Sequence, residues 1–294
     1  MNVNKWIIRN TNSLSGKKVA ISGSTGGLGR ELCFYIASLG AELVLVDRNS
    51  ERSLALAEEL KKANPASTVS HIRADMADME SVRVAADRLE DMRIDYLILN
   101  AGAYSIPRCK CDTGYDNVFQ INFISPYYLV RRLLSDIESR GGKIVAVGSI
   151  AHNYSKIDER DVDFSTRKQA SKVYGNAKRF LTYGLFALNS PVVSVTHPGI
   201  SFTGITNHYP KLIFALIKHP MKIIFPHPRV ACLSILKGLF TDCKSGEWIG
   251  PSLFDVWGLP RKKPLRTATL KEREKIARIA KEIYNKTNIN QYKT

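Results

Sequence analysis

The sequence predicts an α/β fold, a doubly wound parallel sheet of about seven strands with helices on both faces. Three observations carry that prediction. Short apolar runs alternate with stretches of helical periodicity from Lys17 onward. A glycine-rich turn joins the first run directly to the first helical stretch. A chain of 294 residues, 44% of them hydrophobic, is long and apolar enough to bury a core without disulfide staples.

In order, residues 17–23 read as the first strand, 27–39 as a helix and 42–47 as the second strand. Ser50 is the expected N-cap of a helix that carries Leu54, Ala57 and Leu60 on one face. Strand 68–75, helix 79–92, strand 94–100, a helical stretch over 115–139 and strand 143–149 follow. A long helix over 171–188, strand 192–197, an apolar segment over 205–225, a helix over 228–240 and a short strand around Trp248 complete the pattern. No repeat or low-complexity linker interrupts it, so residues 17–260 are expected to form one domain, with an extension at 1–16 and a tail at 261–294.

Charge and cysteine usage narrow the partners. The net charge is +16, and the tail from Arg261 to Thr294 holds 11 Lys or Arg against three Glu, a net of +8 (11 minus 3). Within it, Thr269-Leu-Lys-Glu272 has the form of a capping box, followed by Ile276, Ile279, Ala280, Ile283 and Tyr284 at helical spacing. That describes a basic amphipathic helix lying on the body, on a partner subunit or on a membrane surface, with a solvated basic face preferred to any nucleic-acid role. Five scattered cysteines suit a reducing, cytoplasmic compartment. Cys109 and Cys111, without a second pair or a nearby His, make an incomplete zinc set, and no metal is expected. No apolar stretch has the length of a signal peptide core or a membrane span.

The chemistry begins at Ser22-Gly23-Ser24-Thr25-Gly26-Gly27-Leu28-Gly29, between strand and helix. Glycines there let the backbone approach a pyrophosphate, and the helix N-terminus presents unpaired amides and a favourable dipole. Asp47, roughly 20 residues on at the end of the second strand, is placed to accept from adenosine ribose hydroxyls and to repel a 2′-phosphate, which favours NAD(H) over NADP(H). Arg48 offers a counterweight, because a guanidinium pairs well with phosphate. This is a Rossmann-type arrangement.

Read with the residues downstream, the spacing Gly23, Gly27, Gly29 resembles the short-chain dehydrogenase/reductase family from Lys17 to about Gly258. Asp75 and Met76 follow the third strand, Asn100-Ala101-Gly102 ends the fourth, and Asn122 lies in the next helix. Ser149 ends the fifth strand, Tyr174-Gly-Asn-Ala-Lys178 supplies a YxxxK pair, and Pro198-Gly199-Ile200 with Thr203 matches PGxxxT. Ser22 stands where Thr is commoner, Gly148 where a second Ser is frequent, and Ser201 replaces an apolar residue; none of these removes a reacting group.

The resemblance implies an oxidoreductase interconverting a ketone and a secondary alcohol with a nicotinamide dinucleotide. Gly23, Ser24, Thr25, Gly27, Leu28, Gly29, Asp47, Arg48, Asp75, Met76, Asn100, Ala101, Gly102, Pro198, Gly199, Ile200 and Thr203 would line the cofactor, with Tyr174 and Lys178 at the nicotinamide ribose. Tyr174 and Lys178 are four apart on a helix and share a face, so the ammonium is expected to lower the phenol pKa and make Tyr174 the proton donor or acceptor. Ser149 would hydrogen-bond the substrate oxygen and Asn122 would hold a relay water. His152 and His197 are expected to make structural hydrogen bonds, and Tyr154 to line the entrance.

In this family the stretch 203–226 folds over the substrate as a lid. Leu212, Ile213, Phe214, Leu216, Ile217 and Met221 make it greasy here, suited to a bulky apolar molecule such as a steroid or retinoid. The residues Gly148 to Lys156, the YxxxK element and the N-terminal Lys5-Trp-Ile-Ile-Arg-Asn-Thr11 look like bacterial 20β-hydroxysteroid dehydrogenases, which implies the C20 carbonyl of cortisol-like steroids. The alternatives are a retinol- or lipid-type dehydrogenase at a membrane surface, through peripheral contact, and a dinucleotide-binding regulator without turnover. The family further implies a homodimer or homotetramer built through the long helices near Asn122 and Tyr174.

Overall fold

The computed structural model describes residues 3–199 and 226–289. Among these, eight strands form one sheet in the order β3-β2-β1-β4-β5-β6-β7-β8. The strands are β1 (Lys18–Ser22), β2 (Glu42–Asp47), β3 (Val69–Arg73), β4 (Tyr96–Leu99), β5 (Lys143–Val147), β6 (Val193–Thr196), β7 (Glu247–Leu253) and β8 (Trp257–Pro264). The first seven pair in parallel, and β8 returns antiparallel along β7. The doubly wound α/β prediction holds, with one strand more than expected. That strand carries two prolines and three consecutive basic residues, so it has no strand signature, and only an edge position tolerates it. The expected domain boundary at 260/261 falls inside it.

Side chains alternate between the two faces of the sheet, as a strand period of two requires. Ala20, Val44, Leu97 and Ile144 point to one core layer, covered by α4 (Met79–Asp91), α6 (Ser125–Ser139), α7 (Ala170–Phe186) and the C-terminal helix α10 (Leu270–Ile289). Val19, Leu43, Ile98 and Val145 point to the other, covered by α1 (Val3–Asn10), α2 (Gly27–Ser38), α3 (Ser50–Ala63) and α9 (Leu233–Leu239). The N-terminal extension joins this second layer by burying Trp6.

Local signals set most helix starts. Asn49, not Ser50, caps α3, its side chain accepting from the Arg52 amide at 2.9 Å; Ser50 is already the first helical residue. Asp78 caps α4 through the amides of Glu80 and Ser81. The stretch expected as one helix over 115–139 is a short α5 (Asn117–Phe119), a π turn (Gln120–Ile124) and α6. Ahead of α9, the short α8 (Pro228–Ala231) packs against α2.

The tail lies on the body. Ile276, Ile279, Ala280 and Ile283 are buried in the first core layer, each Ile contributing about 2 kcal/mol of burial. Thr269 caps α10 through the Glu272 amide, while the Glu272 side chain turns to Arg179 instead of closing the box. No helix among the described residues is long and apolar enough to cross a membrane. At the far edge, Leu253 and Val256 close a tight turn whose central residues, Phe254 and Asp255, both have left-handed backbone (φ 52° and 58°), with Phe254 87% exposed.

Candidate active site

The sheet order turns back between β1 and β4, and at such a crevice α/β proteins bind ligands beyond the C-terminal strand ends. Gly23 follows β1, Asp47 ends β2, Asn100 follows β4, Ser149 follows β5 and Pro198 follows β6, so the predicted residues converge on this one edge.

The turn after β1 requires its glycines. Gly23 has φ +67°, and a Cβ there would sit 2.8 Å from the Ala101 Cα; a Cβ on Gly29 would sit 2.1 Å from the Gly23 carbonyl oxygen. Asn100 locks the two turns together, its Nδ2 donating to the Gly23 carbonyl at 2.9 Å, while the Ala101 amide donates to Ser22 Oγ at 3.1 Å. Helix α2 starts at Gly27 behind Gly26, which offers no side-chain cap. Its first amides are left for an anion, the arrangement a pyrophosphate needs.

Asp47 is buried and faces this turn. It accepts from Ser24 Oγ, from the Thr25 amide (3.3 Å) and hydroxyl (3.2 Å), and from Ser53 Oγ (3.3 Å). The carboxylate therefore braces the glycine turn as well as standing at the expected ribose position, and neighbouring Arg48 is exposed. Asp75 accepts from the Ala77 amide at 2.9 Å, and Met76 packs its side chain into the core. Gly199 has φ +82° and packs on Val256 and Pro251. Ile200 and Thr203 lie outside the described residues, as does the expected lid except for Pro226.

On the other side of the crevice, Ser149 Oγ accepts from the Ala151 amide at 3.2 Å, and the Ser149 side chain acts on the Tyr174 phenol to lower its pKa. Gly175 makes this approach possible, since a Cβ there would lie 2.4 Å from the Ala151 carbonyl oxygen. Tyr104 packs edge-on against Tyr174 at 5.4 Å between centroids, and half-exposed Tyr154 lies close by. Lys178 Nζ donates to the Val147 carbonyl at 2.8 Å and stands 5.7 Å from the Tyr174 ring centroid.

Burial governs both reacting groups in this arrangement. It pushes the Tyr174 phenol up to about 12, partly offset by the Ser149 side chain, and the Lys178 ammonium down to about 7. The lowered phenol pKa expected from the four-residue spacing is thus outweighed by desolvation. Among the described residues the Val147 carbonyl is the acceptor of this ammonium with three N–H donors, which suits a site completed by ribose hydroxyls.

Asn122 sits in the π turn, fully buried. Its Nδ2 donates to the carbonyls of Ala103 (2.8 Å) and Val118 (2.9 Å), and its Oδ1 accepts from the Ala103 amide at 3.3 Å. Its side chain pins the loop after β4, leaving only spare Oδ1 capacity for the expected relay water. His152 and His197 hydrogen-bond the Ser149 and Asp255 carbonyls respectively, as their structural reading expects. Among the described residues no group of three or more His, Cys, Asp or Glu could hold a metal ion.

Residues 17–172 match the short chain dehydrogenase family. The chain belongs to that family. A candidate daunorubicin C-13 ketoreductase of Streptomyces sp. (strain C5) is 34% identical over 170 residues, 56% of this chain and 58% of that protein. Human retinol dehydrogenase 13 is 27% identical over 206 residues (67% of this chain, 62% of the relative), so the match spans less than two thirds of either relative. Mouse retinol dehydrogenase 14 is 28% identical over 268 residues, 80% of each chain. Among solved structures, an uncharacterised protein of Mycobacterium paratuberculosis superposes with a TM-score of 0.68 at 22% identity, covering 95% of this chain and 94% of that one. L-sorbose reductase of Gluconobacter frateurii, solved with NADPH and L-sorbose, gives 0.60 at 20%, covering 79% and 92%. At these identities the structural likeness concerns the fold.

Sequence reasoning missed Tyr104, Gly175 and the Val147 carbonyl. Only Gly175 left a signal, as a glycine in mid-helix beside a reacting residue.

Proposed function

We propose that the protein is a nicotinamide-dinucleotide-dependent oxidoreductase interconverting a ketone and a secondary alcohol on a bulky apolar substrate. The observation that carries this is the convergence of Ser149, Tyr174 and Lys178 opposite the uncapped start of α2. When bound, the nicotinamide ring supplies or accepts the hydride. Tyr174 gives its hydroxyl proton to the carbonyl oxygen in reduction and takes it back in oxidation, while the Ser149 hydroxyl donates a hydrogen bond to that oxygen as charge develops. Lys178 would hold the ribose edge, and its Nζ, when protonated near the phenol, would favour the tyrosinate needed for oxidation. Asn122 fixes the loop that walls the site.

NAD(H) is the dinucleotide we infer, because a 2′-phosphate would meet the Asp47 carboxylate. The relatives' names bring retinols and an anthracycline ketone into the substrate panel beside the C20 carbonyl of cortisol-like steroids. The free cysteines suit a cytoplasmic location. A homodimer or homotetramer through the long helices would have to include α10, which packs across α7 and lays Tyr284 on Tyr127 and Tyr128.

The test is nicotinamide absorbance during turnover of cortisol, daunorubicin and retinol, with NAD(H) and NADP(H) side by side. Turnover that disappears in Tyr174→Phe while dinucleotide binding persists is the expected result. Binding without turnover of any member, unchanged by Tyr174→Phe, would favour the regulator instead.

A further inference from the structure

The basic tail reaches the active site through a network of partly buried hydrogen bonds, in which exposed Thr267 meets the buried side chains of His152, Tyr183 and Arg179. His152 is wholly buried one turn after Ser149, with Nδ1 2.6 Å from the Ser149 carbonyl oxygen and Nε2 2.8 Å from Thr267 Oγ1. A carbonyl only accepts, so Nδ1 carries the proton. Burial and the nearby Arg179 cation hold the imidazole neutral, so Nε2 accepts and the Thr267 hydroxyl donates. The Tyr183 hydroxyl then donates to Thr267 Oγ1 at 2.5 Å and accepts the Thr267 amide at 3.1 Å. Every member has one possible role, which leaves the turn a single orientation.

Arg179 closes the network from the catalytic helix. It follows Lys178 directly, is 2% exposed, and donates to the carbonyls of His152 (2.9 Å) and Thr267 (2.8 Å). Its Nε and Nη2 meet the two carboxylate oxygens of Glu272 at 2.7 Å each. This paired fork on a buried guanidinium is geometrically specific, and loss of either partner would strand a charge.

We propose that residues 267–272 are part of the active-site scaffold: Thr267 and Glu272, acting through His152 and Arg179, hold the Ser149 turn in register with Tyr174. All four are positioning residues, since none touches the reacting atoms. The proposal rests on the oxidoreductase reading for its catalytic consequence, while the mechanical link between tail and turn stands independently of it.

The experiment compares the parent protein with Thr267→Val, Thr267→Ser and Glu272→Gln. Three quantities are measured: hydrogen–deuterium exchange of the 149–154 segment, the dissociation constant for the dinucleotide, and kcat and KM on whichever ketone of the panel is turned over. Thr267→Val leaves His152 Nε2 without a donor. It is expected to speed exchange in 149–154 and lower kcat about tenfold with dinucleotide affinity unchanged, Thr267→Ser restoring both. Glu272→Gln is expected to act in the same direction and serves if Thr267→Val does not fold. Unchanged exchange in 149–154 would overturn the proposal, as would faster exchange with unaltered kcat, or Ser behaving as Val. If the parent protein turns over no substrate, the oxidoreductase reading fails, and exchange alone decides whether the tail holds the turn.

Discussion

Replacing Lys178 by Met offers a quantitative check on the buried-cation argument. The ammonium is buried beside the Val147 carbonyl, and burial lowers its pKa from 10.5 to about 7. Between those values the unfolded chain holds a proton that the folded chain has released, so stability climbs as pH rises through that window. Each pH unit there is worth about 1.4 kcal/mol, and of the three units from pH 6 to pH 9 about two lie above the folded value. The wild type should therefore gain about 3 kcal/mol from this group over that range. Lys178→Met lacks the titration, so its stability relative to wild type should fall by about 3 kcal/mol between pH 6 and pH 9. Groups common to both proteins cancel in the difference, and Tyr174, pushed up to about 12, does not titrate in the range. Urea unfolding of both proteins at pH 6, 7.5 and 9 measures it. A difference independent of pH would refute the claim that Lys178 is held desolvated.

Three further perturbations test the site and its frame. Gly29→Ala puts a methyl group 2.1 Å from the Gly23 carbonyl oxygen, so dinucleotide affinity by fluorescence titration should fall at least about tenfold, with stability reduced by about 2 kcal/mol; wild-type affinity would mean that the turn is not the cradle. Asp47→Asn removes the charge facing a 2′-phosphate and should raise the NADPH-to-NADH ratio of kcat/KM about tenfold, which paired initial-rate measurements read directly. Phe254→Gly relieves a left-handed residue that is 87% exposed and should stabilise the protein by about 1 kcal/mol in urea unfolding; a loss would mean that the ring covers apolar surface.

The elements legible in the sequence were those whose local signals agree with their tertiary surroundings. Strands β1, β2, β4 and β5 are largely apolar runs because central parallel strands are buried on both faces, and the C-terminal ends of the strands carry the site residues in the order the motifs suggest. Strand β8 was not legible, because pairing with β7 at the sheet edge, not its own composition, makes it a strand. The cap of α3 moved by one residue because Asn49 and Ser50 are both good caps, and only the backbone decides between them. The phenol–ammonium coupling was over-read for a different reason: helical spacing gives the shared face but not the desolvation, which here is the larger effect.

The tail shows most clearly how composition and position divide the work. Its charge alone left three resting places open, the body, a partner or a membrane, and its apolar stripe fits any of them. What selects the body is Glu272, an acid in a basic segment, which finds Arg179 in the catalytic helix, together with Ile276, Ile279 and Ile283, which fill the space beside α7. The basic residues of the helix are then left mainly on its outer side, some paired with Glu159, as Lys275 and Arg278 are. A segment contributing half of the net charge thus acts first as a wall of the core, and its partly buried Glu272 ties that wall to the residue following Lys178. The tail's charge is divided between β8, with Arg261, Lys262 and Lys263, and the outer surface of α10, whereas the inner surface of α10 bears on the chemistry.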